Sequence, residues 1–393
     1  MPNAVIVDAV RTPLGKGKVG GALSGVHPAA LLSAVFTGLI ERSGIDPGLV
    51  EDIIVGCVTQ VGEQSSTPGR QGWLGSGYPE HVPSVTVERK CGSGQQAIDF
   101  AVHAIMAGTY DIVIAAGVES MSRIPMGSNR GTADPYGSMV NARYPVLPPQ
   151  GISAELVAHR WKLTRAELDE YAVASHERAY RAASSGGFDN EIVAVHTPDG
   201  LVERDETIRP NSTTEKLSQL KPAFAEHTSA EHFPELTEWM VTAGNSSQLT
   251  DGASGLLVMS EQRARELGVR PRARIIASAV VGDDPVSMLT APIPATKTLL
   301  RRVGLSTKDF DAFEVNEAFA SVPLAWLAEF GVDIERLNPR GGAIALGHPL
   351  GASGCRLMTT LINHLEQTGG RRGLQTMCEA GGMANATAVE LIK

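Results

Sequence analysis

Short, wholly apolar runs alternate along this chain with longer stretches of helical periodicity, and that alternation predicts an α/β fold. Ala4–Val10 reads as a strand, Pro28–Ser43 as a helix closed by Gly44, and Ile53–Thr59 as a strand that follows an Asp46-Pro47 cap. Ser84–Val87 and Asp111–Gly117 read as strands on either side of a helix at Gln95–Ala107. Strands without a polar face need helices on both sides of their sheet.

The texture changes near Met121. Residues 122–151 carry Pro125, Pro135, Pro145, Pro148 and Pro149 among several glycines, an irregular stretch long enough to suggest a role of its own. A helix at Ser153–Trp161 follows, then one opened by a Thr164–Glu167 capping box with Leu168, Tyr171, Ala172, Ser175 and Ala179 on one face. Residues 197–240 are polar and loop-like, so this middle segment reads as an insertion. Alternation then resumes, with strands at Gly255–Ser260, Ala273–Val281, Phe310–Val315 and Thr387–Ile392. Helices are expected at Pro294–Val303, at Glu317–Phe330, and from the glycine-rich turn 341–354 onward to Gln367.

The two ends look like one plan used twice. Ala4–Val10 matches Arg274–Val280, Ile53–Thr59 matches Phe310–Val315, and the Gly-Ser-Gly turn after Cys91 matches the Gly-Ala-Ser-Gly turn after His348. Two such halves would face each other across a pseudo-twofold axis and bring His348 and Cys378 to Cys91. The expected division is an N-terminal half at 1–121 completed by 249–272, an inserted loop domain at 122–248, and a C-terminal half at 273–393.

Composition narrows the functions. A net charge of −9 argues against nucleic acid or an anionic membrane as the main partner, and no apolar run is long enough to span a bilayer. The four cysteines, at 57, 91, 355 and 378, have no metal-type spacing, and a chain of 393 residues needs no disulfide scaffold. With a strand at the start in place of a signal core, the expected location is cytoplasmic. Gly15-Lys16-Gly17-Lys18-Val19-Gly20 matches a dinucleotide-binding pattern, but further glycines keep a helix from opening inside it, so it is set aside.

Cys91 carries the first chemical signal. It stands where a strand turns into a helix, and the unpaired N–H groups of a helical first turn favour a thiolate. Gly92 and Gly94 clear space on either side. An activated nucleophile and an inert buried thiol are equally open readings of this stretch alone. His159 and His176 fall on helices and read as solvated or packed; Cys57 and Cys355 read as core.

Four motifs in fixed order go further: Cys91 in Cys-Gly-Ser-Gly, Asn316 in Asn-Glu-Ala-Phe-Ala, His348 in Gly-His-Pro-Leu-Gly-Ala-Ser-Gly, and Cys378 ahead of a glycine pair. With these, and Thr242-Ala243-Gly244-Asn245-Ser246-Ser247, the whole chain resembles the thiolase family of acetyl-CoA acetyltransferases and 3-ketoacyl-CoA thiolases. The resemblance implies a layered α-β-α-β-α fold of two βαβαβαββ halves with an inserted loop domain. It implies an acyltransferase that cleaves a 3-ketoacyl-CoA with CoA, through an acyl-cysteine, in fatty-acid or related catabolism, ring and side-chain substrates included. Cys91 would be acylated, His348 would take its proton, Cys378 would serve as acid and then base, and Asn316 would hold a water. Backbone N–H groups of Cys91 and Ala380 would form the oxyanion hole for the intermediate on Cys91.

The same resemblance places Ser247, Lys221, Ala243 and Phe319 near CoA, which is a substrate, with no permanently bound cofactor and no metal. Lys221 also reads as a solvated surface lysine, and Ser247 as a cap or turn residue. The family's usual glycine is Ala380 here, and its frequent methionine is Gln150, within the 122–151 loops expected to set acyl specificity. Glu379 would raise the Cys378 pKa if it faced that thiol, and strand alternation is expected to turn it away. Alternatives are a biosynthetic enzyme condensing two acetyl-CoA and a non-catalytic CoA or lipid carrier. The family also implies a homodimer or homotetramer.

Overall fold

The computed structural model describes residues 3–392. Its N-terminal half is built on strands β1 (Ala4–Arg11), β2 (Asp52–Gly56), β3 (Ser84–Val87), β4 (Ile112–Ser120) and β5 (Thr250–Ser260). They lie in the order β3-β2-β4-β5-β1. The C-terminal half uses β6 (Ala273–Gly282), β7 (Ala312–Val315), β8 (Arg372–Glu379) and β9 (Met383–Leu391), in the order β7-β8-β9-β6.

The duplication is visible in the pairing. β2 runs parallel to β4, β4 antiparallel to β5, and β5 antiparallel to β1. In the other half β7 runs parallel to β8, β8 antiparallel to β9, and β9 antiparallel to β6. The equivalent strands β1 and β6 then meet antiparallel at Val5–Arg274 and Ile6–Ala273, as a local twofold axis requires.

Helices cover the strands in layers. The main ones are α1 (Pro28–Ser43), α2 (Pro68–Gly75), α3 (Ser93–Met106), α4 (Gln150–Arg160), α5 (Arg165–Ser184), α6 (Pro292–Val303), α7 (Ser321–Phe330), α8 (Ala343–Leu346) and α9 (Leu350–Thr368). Leu31, Leu32, Val35 and Phe36 of α1 pack on one outer face of the sheet with Ile53 and Leu257. Leu299 of α6 and Trp326 of α7 pack on the other with Phe313 and Leu374. Between them lie α3 and α9, whose Ile98, Ile105, Met358 and Ile362 meet strands of both halves. Each such fully buried side chain contributes about 1.5–3 kcal/mol, which explains why these strands have no polar face.

Glycine sets how closely the middle helices approach. A Cβ on Gly354 would stand 2.0 Å from the Gln95 nitrogen, and one on Gly94 2.7 Å from the Gly351 carbonyl oxygen. A Cβ on Gly117 would stand 2.1 Å from that same oxygen. The first turns of α3 and α9 therefore touch backbone to backbone, which brings the residues just before each helix together.

The stretch between β4 and β5 holds α4, α5, a small hairpin (Val195–Thr197 with Gly200–Val202) and long loops. The Thr164–Glu167 capping box forms as expected. The glycine-rich 15–20 stretch opens no helix: Gly15 and Lys16 pair with Asp251 and Thr250, and the chain turns until α1. No helix is long and apolar enough to cross a membrane among the described residues.

Candidate active site

Cys91 sits between β3 and α3, 3% exposed, in a turn that starts with Lys90 at φ 48°. Ser93 ties this turn down: its Oγ accepts from Arg89 N at 2.8 Å and donates to Lys90 O at 2.6 Å. The thiol is thus held at the opening of α3, as its sequence position implied. Burial pushes its pKa up, with Cys378 and Glu379 adding to the effect and Gln150 opposing it.

His348 precedes α9 and is 4% exposed. Its backbone N–H donates to Gln248 O at 3.1 Å and Thr250 Oγ1 at 3.0 Å, which fixes it to the start of β5. Its Nδ1 lies 2.6 Å from Ser353 Oγ, and that hydroxyl donates to Pro349 O at 2.9 Å. Because the Ser353 proton is committed to Pro349, Nδ1 carries the imidazole proton and donates it to Ser353, leaving Nε2 as the acceptor nitrogen. Asn316 Nδ2 stands 3.4 Å from Nε2. Burial, helped by the nearby Arg356 charge, lowers the His348 pKa to about 3, so the ring is neutral and able to accept a proton.

Cys378 lies in the buried run of β8, with no exposed surface. The Asn316 Nδ2 is 3.9 Å from its Sγ as well as near His348, so one amide faces both groups. Burial raises the Cys378 pKa to about 12, opposed first by Asn316. Asn316 Oδ1 is buried without a partner, an acceptor still to be used. Next to it Glu317 is fully occupied: its carboxylate accepts from Tyr171 Oη at 3.0 Å, Ser175 Oγ at 2.7 Å, Asn338 Nδ2 at 3.0 Å and Ile344 N at 3.1 Å.

Glu119 stitches the two halves beneath this site. Its carboxylate accepts from Val58 N and Thr59 N at 3.0 Å, Gln64 Nε2 at 2.9 Å and, from the opposite half, Gly351 N at 2.9 Å. The sequence signals no role for Glu119, a lone Glu without spacing of its own, and gives Ser353 only as part of the turn after His348.

Above Cys91 opens a cavity of about 450 Å³ lined by Met126, Leu147, Gln150, Met288, Phe319 and Ala380 among others. Several of these come from residues 122–151. Of the four expected catalytic side chains, Cys91 lines the cavity; His348, Cys378 and Asn316 lie buried beside it. Phe319 lines it too, edge-on to Phe224 with ring centres 6.3 Å apart. Ser247 is half-buried, its N–H donating to Ala318 O at 2.9 Å, while Ala243 and Lys221 are exposed; none of these three reaches the cavity wall. Among the described residues no cluster of three or more His, Cys, Asp or Glu is arranged to hold a metal ion.

Glu379 turns to the other side of β8 from Cys378, as alternation predicts, but that side is not solvent. Its carboxyl is buried beneath Gly92. Cys57 and Cys355 are core residues, and His176 is packed, accepting from Arg209 N at 3.1 Å, while His159 is exposed.

The family model for the thiolase N-terminal domain matches residues 4–262, and that for the thiolase C-terminal domain matches 269–391. The chain belongs to the thiolase family. It is 46% identical, across 99% of its length and 94% of the relative's, to a steroid 3-ketoacyl-CoA thiolase of Mycobacterium tuberculosis. It is 42% identical to a 3-ketoacyl-CoA thiolase of Aliivibrio fischeri, covering 99% of this chain and all of that one. The crystal structure of the Bacillus anthracis acetyl-CoA acetyltransferase superposes with a TM-score of 0.88 at 36% identity, covering 100% of this chain and 99% of that one. As a thiolase, the protein is an acyltransferase that takes CoA and acyl-CoA as substrates, and the duplicated α/β fold is that of the family.

Proposed function

We propose that this thiolase works in the degradative direction, cleaving a 3-ketoacyl-CoA larger than acetoacetyl-CoA into acetyl-CoA and a shortened acyl-CoA. The observation that carries this reading is the cavity over Cys91. Its volume of about 450 Å³ and its wall of Met126, Leu147, Met288 and Phe319 exceed what an acetyl group needs. The two most informative relatives act on 3-ketoacyl-CoA, one of them on steroid-derived substrates. A side-chain or ring-derived acyl group is therefore preferred here over a short one.

In this reading Cys91 Sγ attacks the 3-keto carbon while His348 Nε2 takes its proton. Both thiols rest protonated and the imidazole rests neutral, so proton transfer accompanies attack instead of preceding it. The carbonyl oxygen becomes an oxyanion held by the N–H groups of Cys91 and Ala380. The bond between C2 and C3 breaks, and the acetyl-CoA enolate takes a proton from Cys378. The Cys378 thiolate then draws the proton from incoming CoA, whose sulfur takes the acyl group from Cys91, and the Cys91 sulfur recovers its proton from His348. Asn316, facing both His348 and Cys378, positions a water for the enolate oxygen. CoA lies along Phe319 toward Ser247, Ala243 and Lys221.

The assembly is a homodimer or homotetramer. The free edge of β3, with Val85 exposed, supports this because an unpaired strand edge is a template for pairing with another copy.

The test is intact mass after incubation with acetoacetyl-CoA and longer or ring-bearing 3-ketoacyl-CoA esters, followed by peptide mapping. The expected result is a long acyl group on Cys91. An acetyl adduct alone favours the condensing enzyme, and bound ester without any adduct overturns the enzymatic roles.

A further inference from the structure

A polar cluster lies behind the two thiols, and the reaction as described does not use it. Glu379 has no exposed surface, and neither carboxyl oxygen has a hydrogen-bond partner. The side-chain oxygen of Asn385, on β9, is also buried and unpartnered. Both acceptors converge on Gly92: a Cβ there would be 1.8 Å from Glu379 Oε1 and 2.9 Å from Asn385 Oδ1. Two acceptors directed at one buried point repel each other unless a proton lies between them.

The rest of the cluster fixes which way Asn385 is set. Its Nδ2 donates to Asp99 Oδ2 at 3.2 Å and to Gln96 Oε1 at 3.4 Å. Thr387 Oγ1 donates to Asp99 Oδ1 at 3.2 Å and itself accepts from Gln95 Nε2 at 2.7 Å. Burial pushes the Asp99 pKa up to about 7 and the donors Asn385 and Thr387 work against that rise, so Asp99 is the better-supplied of the two carboxyls, and Asn385 Oδ1 is left facing Glu379. Turning the amide over would give Glu379 a donor but set Oδ1 against Asp99, so one of the two carboxyls holds a proton in either setting. Asp99 has donors in the observed setting and Glu379 has none, which assigns the proton to Glu379.

We propose that Glu379 is kept as a neutral carboxylic acid that donates to Asn385 Oδ1 beneath Gly92, and that its neutrality is what lets Cys91 and Cys378 form thiolates in turn. It is a positioning residue, and the proposal rests on these two thiols being the reacting groups. Ionised, the carboxylate would add a negative charge behind both sulfurs, and it bears on each of them. The groups facing Glu379 are Arg89 and Glu88 from the turn before Cys91, Asp99 from α3, Asn385 from β9, and the thiols. Burial holds its pKa up to about 9; Arg89 works in the opposite direction and Asp99 adds to the rise. Arg89 does not cancel the effect, since its Nε is buried without any partner, the carboxyl included.

The test reads thiol ionisation directly. Wild-type enzyme and Glu379→Gln, a neutral side chain of the same shape, are alkylated with iodoacetamide at about pH 7 and about pH 10, and labelling of Cys91 is followed by peptide mapping. Equal rates within about twofold at the lower pH, and a rate about tenfold higher in the variant at the upper pH, are expected. A variant faster by the same factor at both values means that the carboxylate was already charged, and identical rates at both mean that it does not act on the thiol; either overturns the proposal. Glu379→Met, neutral and of similar length, gives the same comparison should Gln fail to fold. Alkylation requires no turnover, so failure of the acyl-transfer reading appears separately, as the absence of an acyl adduct.

Discussion

Ser353 Oγ lies 2.6 Å from His348 Nδ1, and this one contact puts the proton of the buried imidazole on Nδ1 and leaves Nε2 as the nitrogen able to accept one. Ser353→Ala leaves the Nδ1 proton without an acceptor and lets the ring adopt the other tautomer, with its proton on Nε2. The expected loss in kcat is about 10- to 100-fold, the rate equivalent of an unsatisfied buried donor. KM should hold nearly steady because Ser353 does not line the cavity. A large rise in KM with kcat intact would place Ser353 in substrate binding instead.

In the proposed mechanism Cys378→Ala removes the thiol that exchanges protons with the enolate and with incoming CoA. Thiolysis should slow by about 10²- to 10⁴-fold, while iodoacetamide still labels Cys91. Unchanged thiolysis would take Cys378 out of the reaction.

Gln150 stands beside Cys91 in a cavity wall that is otherwise largely apolar and works against the rise of that thiol's pKa. With Gln150→Met, the ratio of kcat/KM for ring-bearing over straight-chain 3-ketoacyl-CoA should fall by about tenfold, as expected when a polar group in a specificity pocket is lost. Competition assays with the two ester classes measure this ratio, and an unchanged ratio would locate specificity elsewhere in residues 122–151.

Gly92→Ala drives a methyl group to 1.8 Å from Glu379 Oε1. The fold should lose about 1–3 kcal/mol, seen as a lower Tm, and Glu379→Ala in the same chain should recover part of it. Additive losses in the double variant would mean that the two residues do not share this space.

Stability should also depend on pH through Glu379. In the unfolded chain its carboxyl ionises at 4.5, whereas in the folded protein it keeps its proton to about 9. The folded state thus binds more protons between those values. Its contribution is complete below 4.5, falls as pH rises, and is gone above about 9. Urea midpoints taken across this window should decline less steeply in Glu379→Gln than in wild type, and parallel declines would argue against a protonated Glu379.

Much of this was readable from residue order. The strands stand out because helices cover both of their faces, and the motifs of Cys91, His348 and Cys378 because each sets a reactive side chain beside glycines, while that of Asn316 is marked by its place just after a strand. α2 was missed: Pro68–Gly75 contains three glycines, and what holds it is Trp73, buried against Phe36 with its Nε1 donating to Pro79 O at 2.9 Å. α8 was hidden in the same way inside a glycine-rich turn. Glu119 and Asn385 gave no signal because their partners are remote in the chain, and Ser353, although inside the His348 motif, because nothing in the motif shows that its hydroxyl faces the imidazole. The Glu379 direction was foreseen from strand alternation, but not what it meets, since Gly92 is brought there only by the docking of the two halves.

The backbone contacts of Gly56, Gly117 and Gly351 have a practical corollary. They weld the catalytic floor to the seam between the duplicated halves, so the floor cannot open by a hinge without losing contacts made at van der Waals range. The wall contributed by residues 122–151 carries no such weld. Exchanging that segment between relatives should therefore retarget the acyl group while the chemistry stays put, which makes this thiolase a chassis with a replaceable faceplate.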